Sequence, residues 1–146
     1  MPENSKKMTN LRQVSRPLVV VLAYDGLCTF EFGVAVEIFG LSRPELGDAW
    51  YRFAVAGIDA GELRATGGIR IMIDGDISLL ASADRIIIPG WRGLDSPVPD
   101  ALCDALRQAS ARGCQLLSIC SGVFVLAASG LLNGRKATTH WRYIEA

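Results

Sequence analysis

Continuous apolar runs, interleaved with stretches of helical spacing, dominate the chain from residue 18 onward. Three such runs predict strands of a parallel sheet that is buried on both faces: residues 18–23, 85–88 and 115–119. The alternating pattern over residues 50–56 predicts another strand, and residues 63–73 predict one or two more around a Gly-Gly pair.

Helical spacing fills the segments between these strands. Residues 29–40 place Phe32, Val36 and Phe39 on one face of a predicted helix that ends near Gly40. Further helices are predicted over residues 77–81, 100–112 and 121–131. Strands joined by helical crossovers form a mostly parallel sheet covered on both faces, which places this chain in the α/β class. Ligands of such sheets bind at the carboxyl ends of the strands, where we expect the loops 24–31, 89–97 and 118–123 to meet.

Composition and charge narrow the functional classes. The 146 residues are half hydrophobic, and fifteen basic residues balance fifteen acidic ones, so the chain has no overall electrostatic attraction to nucleic acid or to an anionic membrane. The apolar runs are too short to span a membrane. Residues 1–16 are polar and lack the apolar core of a secretory signal, so we expect a disordered tail, one domain over residues 17–146, and a cytoplasmic location.

The four cysteines form no CxxC pair and no spacing typical of a metal site, so no metal or cofactor is expected. Without an export signal, free thiols are the expected state. Cys103 and Cys114 are interpreted as small core residues. For Cys28, close to a helix start, both packing and a reactive surface thiol remain open.

The segment Ser118-Ile-Cys-Ser-Gly122 joins a predicted strand directly to a helix and thereby presents Cys120. So tight a turn needs small residues on either side of its centre, and Ser118 and Gly122 supply them. We expect Cys120 to have a strained backbone, and we expect the helix start to lower the pKa of its thiol and to offer amides to an anion. The alternative is that Cys120 is an ordinary core cysteine.

Three stretches then resemble a known family: residues 20–33, containing Tyr-Asp-Gly and Phe-Glu-Phe-Gly; residues 88–93, Ile-Pro-Gly-Trp-Arg-Gly; and residues 118–141, ending in Gly-Arg-Lys-Ala-Thr-Thr-His-Trp. Together they resemble the DJ-1/PfpI superfamily, which is related to class I glutamine amidotransferases. They are most similar to the N-terminal domain of AraC-type transcriptional regulators of the FtrA/GlxA kind. The resemblance implies a three-layer, flavodoxin-like sandwich.

By this resemblance, Cys120 matches the family's cysteine at the turn, Glu31 the acid beside it, and His140 the histidine that follows the helix. The resemblance matches the Gly90 region to a loop that helps line the pocket, and with Trp91, Ser121 and Gly122 this completes the set of ligand-binding residues that we expect. Plainer interpretations stay open. Glu31 is an acid near a helix start, where the dipole stabilises any carboxylate. His140 is equally explained as a structural histidine, and Trp91 as a packing residue.

Two departures from the family pattern matter. The amidotransferase triad needs a Glu two residues after the histidine, and Arg142 stands there, so glutamine hydrolysis is not expected. The chain ends at Ala146, so we expect an incomplete domain without its C-terminal part and without a helix-turn-helix. An unfinished sheet has an open edge, from which we predict a homodimer or poor solubility.

The leading hypothesis is therefore the ligand-sensing and dimerisation domain of an AraC-type regulator. It would bind a small metabolite at Cys120 and reach DNA only through a C-terminal domain. The resemblance also leaves open a cysteine-dependent enzyme, of the isonitrile hydratase or glyoxalase type. A third interpretation is a redox sensor in which Cys120 is oxidised.

Overall fold

A five-stranded parallel sheet forms the centre of the computed structural model, which describes residues 16–146. The seven strands of this part of the chain are β1 Leu18–Ala23, β2 Arg52–Gly57, β3 Leu63–Arg64, β4 Arg70–Ile71, β5 Gly75–Asp76, β6 Arg85–Pro89 and β7 Gln115–Ile119. The central sheet has the order β5-β2-β1-β6-β7, and β3 and β4 pair separately as an antiparallel hairpin. The mostly parallel α/β sheet predicted from the sequence is confirmed. The predicted disordered tail lies outside the described residues except for Arg16, whose side chain donates hydrogen bonds to the carbonyls of Trp50 and Tyr51.

Within residues 16–146, three α-helices cover the sheet: α1 Thr29–Ala35, α2 Asp100–Ala111 and α3 Val123–Ala128. Short 3₁₀ turns occupy Pro44–Ala49, Ile77–Ser82, Cys120–Gly122 and Trp141–Tyr143. The helix predicted over 29–40 becomes a π turn at Val36–Gly40. The helix predicted over 121–131 is shorter than expected, because it begins as a 3₁₀ turn and its chain leaves helical geometry at Gly130, where φ is 78°.

Strand β1 shows why these residues form the centre of the fold. Successive side chains of a strand point to opposite faces, and Val20 and Leu22 pack with α2, α3 and the Ile77–Ser82 turn. Val19 and Val21 face the other way, toward Ala35 of α1. All four are fully buried, and each such side chain contributes about 1.5–3 kcal/mol to folding. Because both faces are covered, the strand is apolar throughout and not alternating.

The parallel strands bring the functional loops together at one end of the sheet. Ala23 ends β1, Pro89 ends β6 and Ile119 ends β7, and these three strands are neighbours. The buried Tyr24 hydroxyl, directly after β1, donates to the carbonyl of Pro89 at 2.9 Å. The loops after β1, β6 and β7 therefore meet, as the sequence predicts.

Strand β7 forms one edge of the sheet, and its Leu117 side chain is partly exposed. No helix between residues 16 and 146 is both long enough and apolar enough to cross a membrane.

Candidate functional site

The turn after β7 holds Cys120 in a backbone conformation that side-chain-bearing residues rarely adopt. Its φ is 55°, and it is the one residue other than glycine with a positive φ in the described part of the chain. Such a conformation costs on the order of 1–3 kcal/mol and persists only where the surroundings enforce it. Cys120 comes directly after Ile119 of β7 and opens the 3₁₀ turn that leads into α3 at Val123.

Backbone contact behind the turn enforces this conformation. A Cβ atom on Gly122 would lie 2.2 Å from the carbonyl oxygen of Ile88, so only glycine fits where the turn crosses β6. The buried Ser121 hydroxyl accepts a hydrogen bond from the amide of Trp91 at 2.9 Å. The Thr139 hydroxyl donates to the carbonyl of Cys120 at 3.0 Å. The turn is therefore anchored to β6, to the loop after β6 and to the segment that follows α3.

In front of the turn lies an open cavity of about 420 Å³. Cys120, Glu31 and His140, the three residues expected to form the centre of a site, all line it. Glu31 comes from the first turn of α1, and His140 immediately precedes the Trp141–Tyr143 turn. The other lining residues are Phe30, Ser118, Ile119, Thr138 and Thr139. Of these five, Phe30, Thr138 and Thr139 had no role predicted from the sequence.

The pKa of the Cys120 thiol is higher than the sequence led us to expect. Burial raises its pKa above the ordinary value, and the hydrogen bond and negative charge of Glu31 raise it further. The Ser121 amide acts in the opposite direction without reversing the shift. The predicted lowering of this pKa by a helix start is therefore wrong. Cys120 opens the 3₁₀ turn and so does not lie at the N-terminus of α3, which has only six residues, and the negative charge of Glu31 opposes formation of the thiolate.

His140 is oriented by its own backbone turn. Its Nδ1 atom accepts a hydrogen bond from the amide of Arg142 at 3.2 Å, so neutral His140 carries its proton on Nε2. Its ring lies 5.3 Å from that of Trp141 and 5.9 Å from that of Tyr143, centre to centre. Among the described side chains, no carboxylate hydrogen-bonds to His140. The arrangement thus lacks the acid that orients a histidine as a catalytic base.

The loop after β6 lies behind the turn and does not line the cavity. The amide of Gly90 donates to the carbonyl of Ile119 at 3.0 Å, and the amide of Trp91 donates to Ser121. Trp91 is buried, and its indole nitrogen donates to the carbonyl of Ser96. Because both amides are engaged within the protein, a ligand here would need other groups or would have to displace them. The ligand-binding role expected of Gly90, Trp91, Ser121 and Gly122 stays a prediction.

Cys28 approaches the site from the start of α1. Its sulfur donates a weak hydrogen bond to the carbonyl of Trp91 at 3.8 Å, and a Cβ atom on Gly90 would come within 2.7 Å of it. Burial raises the pKa of the Cys28 thiol, and the charge of Glu31 raises it as well. All four cysteines are free thiols. The packing role left open for Cys28 is therefore the one that the structure favours, and Gly90 must be glycine to accommodate it.

Arg92 braces the loop from the side. Its guanidinium binds both carboxylate oxygens of Asp59, at 2.6 and 3.1 Å, and lies 4.7 Å from the centre of the Trp91 ring. Burial alone raises the pKa of Asp59, but the hydrogen bond and charge of Arg92, with the amide of Asp25, outweigh burial and hold that pKa below its usual range. Arg92 therefore has a partner inside the protein, and it is neither free for an anionic ligand nor merely solvated.

The part of the chain that the structure describes contains no group of three or more His, Cys, Asp or Glu side chains placed to hold a metal ion. The chemistry of this site therefore rests on the thiol of Cys120, the carboxylate of Glu31, the imidazole of His140 and the nearby hydroxyls.

Comparison with known proteins gives a consistent result. The model of the DJ-1/PfpI family matches residues 17–146. An uncharacterised protein of Streptomyces lividans is 35% identical over 126 residues, which cover 86% of this chain and 88% of that protein. The HTH-type transcriptional regulator CdhR of Pseudomonas aeruginosa is 37% identical over 126 residues, covering 86% of this chain. A crystal structure assigned to a transcriptional regulator of Vibrio parahaemolyticus superposes with a TM-score of 0.76 at 25% identity.

This chain matches different fractions of the length of these relatives. The matched region is 37% of the length of CdhR, so this chain corresponds to about a third of that regulator. The superposition on the Vibrio structure covers 89% of this chain and 70% of that structure's chain.

Proposed function

The chain belongs to the DJ-1/PfpI family, and on that premise we propose that it is the sensing and dimerisation domain of an AraC-type transcriptional regulator, binding a small metabolite in the cavity at Cys120. The similarity to CdhR and to the Vibrio regulator supports the regulatory context. In such a regulator, DNA is contacted by a separate helix-turn-helix domain.

The observation that carries the proposal is the cavity of about 420 Å³ that Cys120, Glu31 and His140 line together. Its volume lies within the range of small-molecule sites, on the order of 300–1,000 Å³. It combines an apolar wall, from Phe30 and Ile119, with a few convergent polar groups. Such a composition is typical of sites that recognise a small polar molecule.

The polar groups indicate the ligand's chemistry. The Glu31 carboxylate accepts hydrogen bonds from N–H groups, whereas the Nε2–H of His140 and the hydroxyl of Thr138 can donate to oxygen. A small metabolite that carries nitrogen or a carboxylate would satisfy both kinds of group. We therefore propose this class of ligand.

Two features of the same site favour binding over turnover. The pKa of the Cys120 thiol is raised, so the fraction of reactive thiolate at neutral pH is small. His140 has no carboxylate partner among the described residues, so no strong base stands ready to remove the thiol proton. The site is better suited to hold a molecule than to attack it.

Thermal unfolding in the presence of a panel of small amino and carboxylate metabolites tests the proposal. We expect at least one compound to raise Tm, and we expect Glu31→Gln to abolish that shift by removing the charged acceptor. Glu37→Gln is the matched control, because Glu37 lies on the same helical segment but does not line the cavity. A panel without any shift, or a shift equally lost in both variants, would contradict ligand binding at this cavity.

A second candidate is a cysteine-dependent enzyme such as an isonitrile hydratase, which the family resemblance includes. Glu31 and Cys120 line the same cavity, which favours this candidate, because a carboxylate close to a thiol can accept the thiol proton as the sulfur adds to an electrophilic carbon. Conversion of a simple isonitrile by the protein, lost in Cys120→Ala, would establish this candidate. The raised thiol pKa does not favour the redox-sensor interpretation, since sensor cysteines have low pKa values.

A further inference from the structure

A second groove lies beside the Cys120 cavity, between α3 and residues 137–146. Its volume is about 290 Å³, close to the lower end of the range for small-molecule sites, about 300–1,000 Å³. Seven of the ten residues that line it are apolar, and the other three contribute hydroxyl groups: Thr138, Thr139 and Tyr143. None of these ten described residues has a charged side chain. The groove therefore suits an uncharged molecule.

Two aromatic rings form part of the wall of this groove. Phe124 extends from α3 and Tyr143 from the Trp141–Tyr143 turn, and their rings meet edge to face, with 6.1 Å between the ring centres and 86° between the ring planes. Both residues are half-buried, and Ile144 next to Tyr143 is 65% exposed, so solvent reaches this apolar wall. Aromatic rings prefer edge-to-face or offset contacts, so a third ring that enters the groove can pack against Phe124 or Tyr143.

The polar groups of the lining limit which molecule fits. An ionised carboxylate or ammonium group would lose its hydration here without gaining an oppositely charged side chain, which disfavours charged ligands. A single hydroxyl on the ligand can instead exchange a hydrogen bond with Thr138 or Tyr143. The lining therefore selects a small uncharged aromatic molecule, about the size of phenol. This chemistry differs from that of the Cys120 cavity, which Glu31 and His140 line.

The groove and the Cys120 cavity share a wall. Thr138 and Thr139 line both of them. The Thr139 hydroxyl donates to the carbonyl of Cys120 at 3.0 Å, and the ring of Tyr143 lies 5.9 Å from that of His140, centre to centre. A molecule that packs against Thr139 and Tyr143 in the groove therefore contacts the residues that hold Cys120 and His140 in the neighbouring cavity.

We propose that the groove between α3 and residues 137–146 is a second ligand site, which binds a small uncharged aromatic molecule, and that its occupation restrains the Cys120 turn through Thr139. Two sites that share a wall are energetically coupled when the ligand of one restrains residues of the other. The second site regulates the cavity named in the proposed function. Its test uses no metabolite, so either proposal can fail without the other.

NMR titration with phenol tests the site in three proteins: the unaltered chain, Ala127→Leu and Ala128→Leu. Both alanines are exposed on α3, but only Ala127 lines the groove. For the unaltered chain and Ala128→Leu we expect a Kd of about 0.1–1 mM, as is typical of so small a ligand. For Ala127→Leu we expect binding at least roughly 10-fold weaker, because the larger side chain fills the groove. Benzoate should bind the unaltered chain at least roughly 10-fold more weakly than phenol, because its carboxylate finds no cationic partner. Circular dichroism checks that each variant folds, and Ala127→Val replaces Ala127→Leu if that variant does not.

A second readout follows the link to the cavity. Mass spectrometry of the Cys120 peptide after iodoacetamide treatment should show alkylation that saturating phenol slows by about 2-fold or more, because the half-buried thiol reacts only when its turn opens. Thr139→Val should bind phenol but lose this slowing, and Thr139→Ser, which keeps the hydroxyl, should retain it.

The possible outcomes separate the parts of the proposal. A lack of phenol binding, or equal loss of binding in Ala127→Leu and Ala128→Leu, overturns the second site. Benzoate that binds as tightly as phenol overturns the assigned class of ligand. A Cys120 alkylation rate that phenol leaves unchanged, or slows equally in Thr139→Val, overturns the link through Thr139.

Discussion

Behind Cys120 the turn is held by close backbone contacts, whereas in front of it a few side chains border an open cavity. The rear consists of Gly122 against the carbonyl of Ile88 and of Ser121 hydrogen-bonded to Trp91. At the front, Glu31 and His140 come from separate elements that meet only across the cavity. The close contacts behind the turn fix the position of the Cys120 sulfur, and the open cavity in front of it leaves room for a bound molecule. Substitutions on the two sides of the turn should therefore differ in their effects on stability and on the thiol.

The first prediction concerns the tightest contact of the rear. Gly122→Ala should lower the free energy of unfolding by about 3 kcal/mol or more, because its methyl group would overlap the carbonyl oxygen of Ile88 in a region that cannot relax. Urea unfolding measures the loss. Gly134→Ala is the control, since a Cβ there contacts nothing within 4 Å and only its positive φ adds a cost, roughly 1–2 kcal/mol. Equal losses in the two variants would mean that the rear is not rigid.

The second prediction measures the strain at the turn itself. Cys120→Gly should be more stable than Cys120→Ala by about 1 kcal/mol, because both remove the thiol but only glycine adopts a φ of 55° without strain. Thermal or urea unfolding of the two variants gives this difference directly. If Cys120→Ala proves the more stable, the turn stores no strain.

The third prediction concerns the ion pair between Arg92 and Asp59. The pKa of Asp59 is lower in the folded protein than its ordinary value, so the ion pair stabilises the fold above the ordinary carboxyl pKa, and that stabilisation is lost as the pH falls through the folded pKa. Asp59→Asn should therefore cost up to about 1 kcal/mol at neutral pH and progressively less in acid, in keeping with a partly exposed pair. Urea unfolding at several pH values measures this. A cost that does not change with pH would exclude the ion pair as its source.

The fourth prediction addresses the open front. Glu31→Gln should lower the pKa of the Cys120 thiol, because the carboxylate contributes to raising it. Alkylation of Cys120 at neutral pH should become faster by a few-fold, while unfolding free energy changes little. Glu37→Gln, outside the cavity, should leave the alkylation rate unchanged. If the rate were equal in the Glu31→Gln variant and the unaltered chain, Glu31 would not act on the sulfur.

Much of the rear could be inferred from the linear sequence. An apolar run ending at Ile119, a cysteine flanked by small residues and a helical pattern after it indicate a sharp turn whatever surrounds them. Only the fold, however, shows that Gly122 lies against the carbonyl of Ile88, since residues 88 and 122 become neighbours through pairing of β6 with β7. The small residue is visible in the sequence, but what it touches is not.

The front was less predictable. Cys120, Glu31 and His140 were expected together from resemblance, and they do line one cavity. The sign of the Cys120 pKa shift was not predicted correctly, because a helix start was visible in the sequence but the burial of the sulfur and the effect of Glu31 on it were not. The pairing of Arg92 with Asp59 was also missed, since 33 residues separate them and no local pattern links a loop arginine to a distant aspartate.

Periodicity and small residues act over a few neighbouring positions, so the layered α/β architecture and the place of the turn could be predicted from the amino-acid sequence. Only the folded structure shows that the protonated form of Cys120 is favoured and that the amides of Gly90 and Trp91 are engaged within the protein. These properties depend on burial and on contacts between residues far apart in sequence, and such contacts form only when the chain folds.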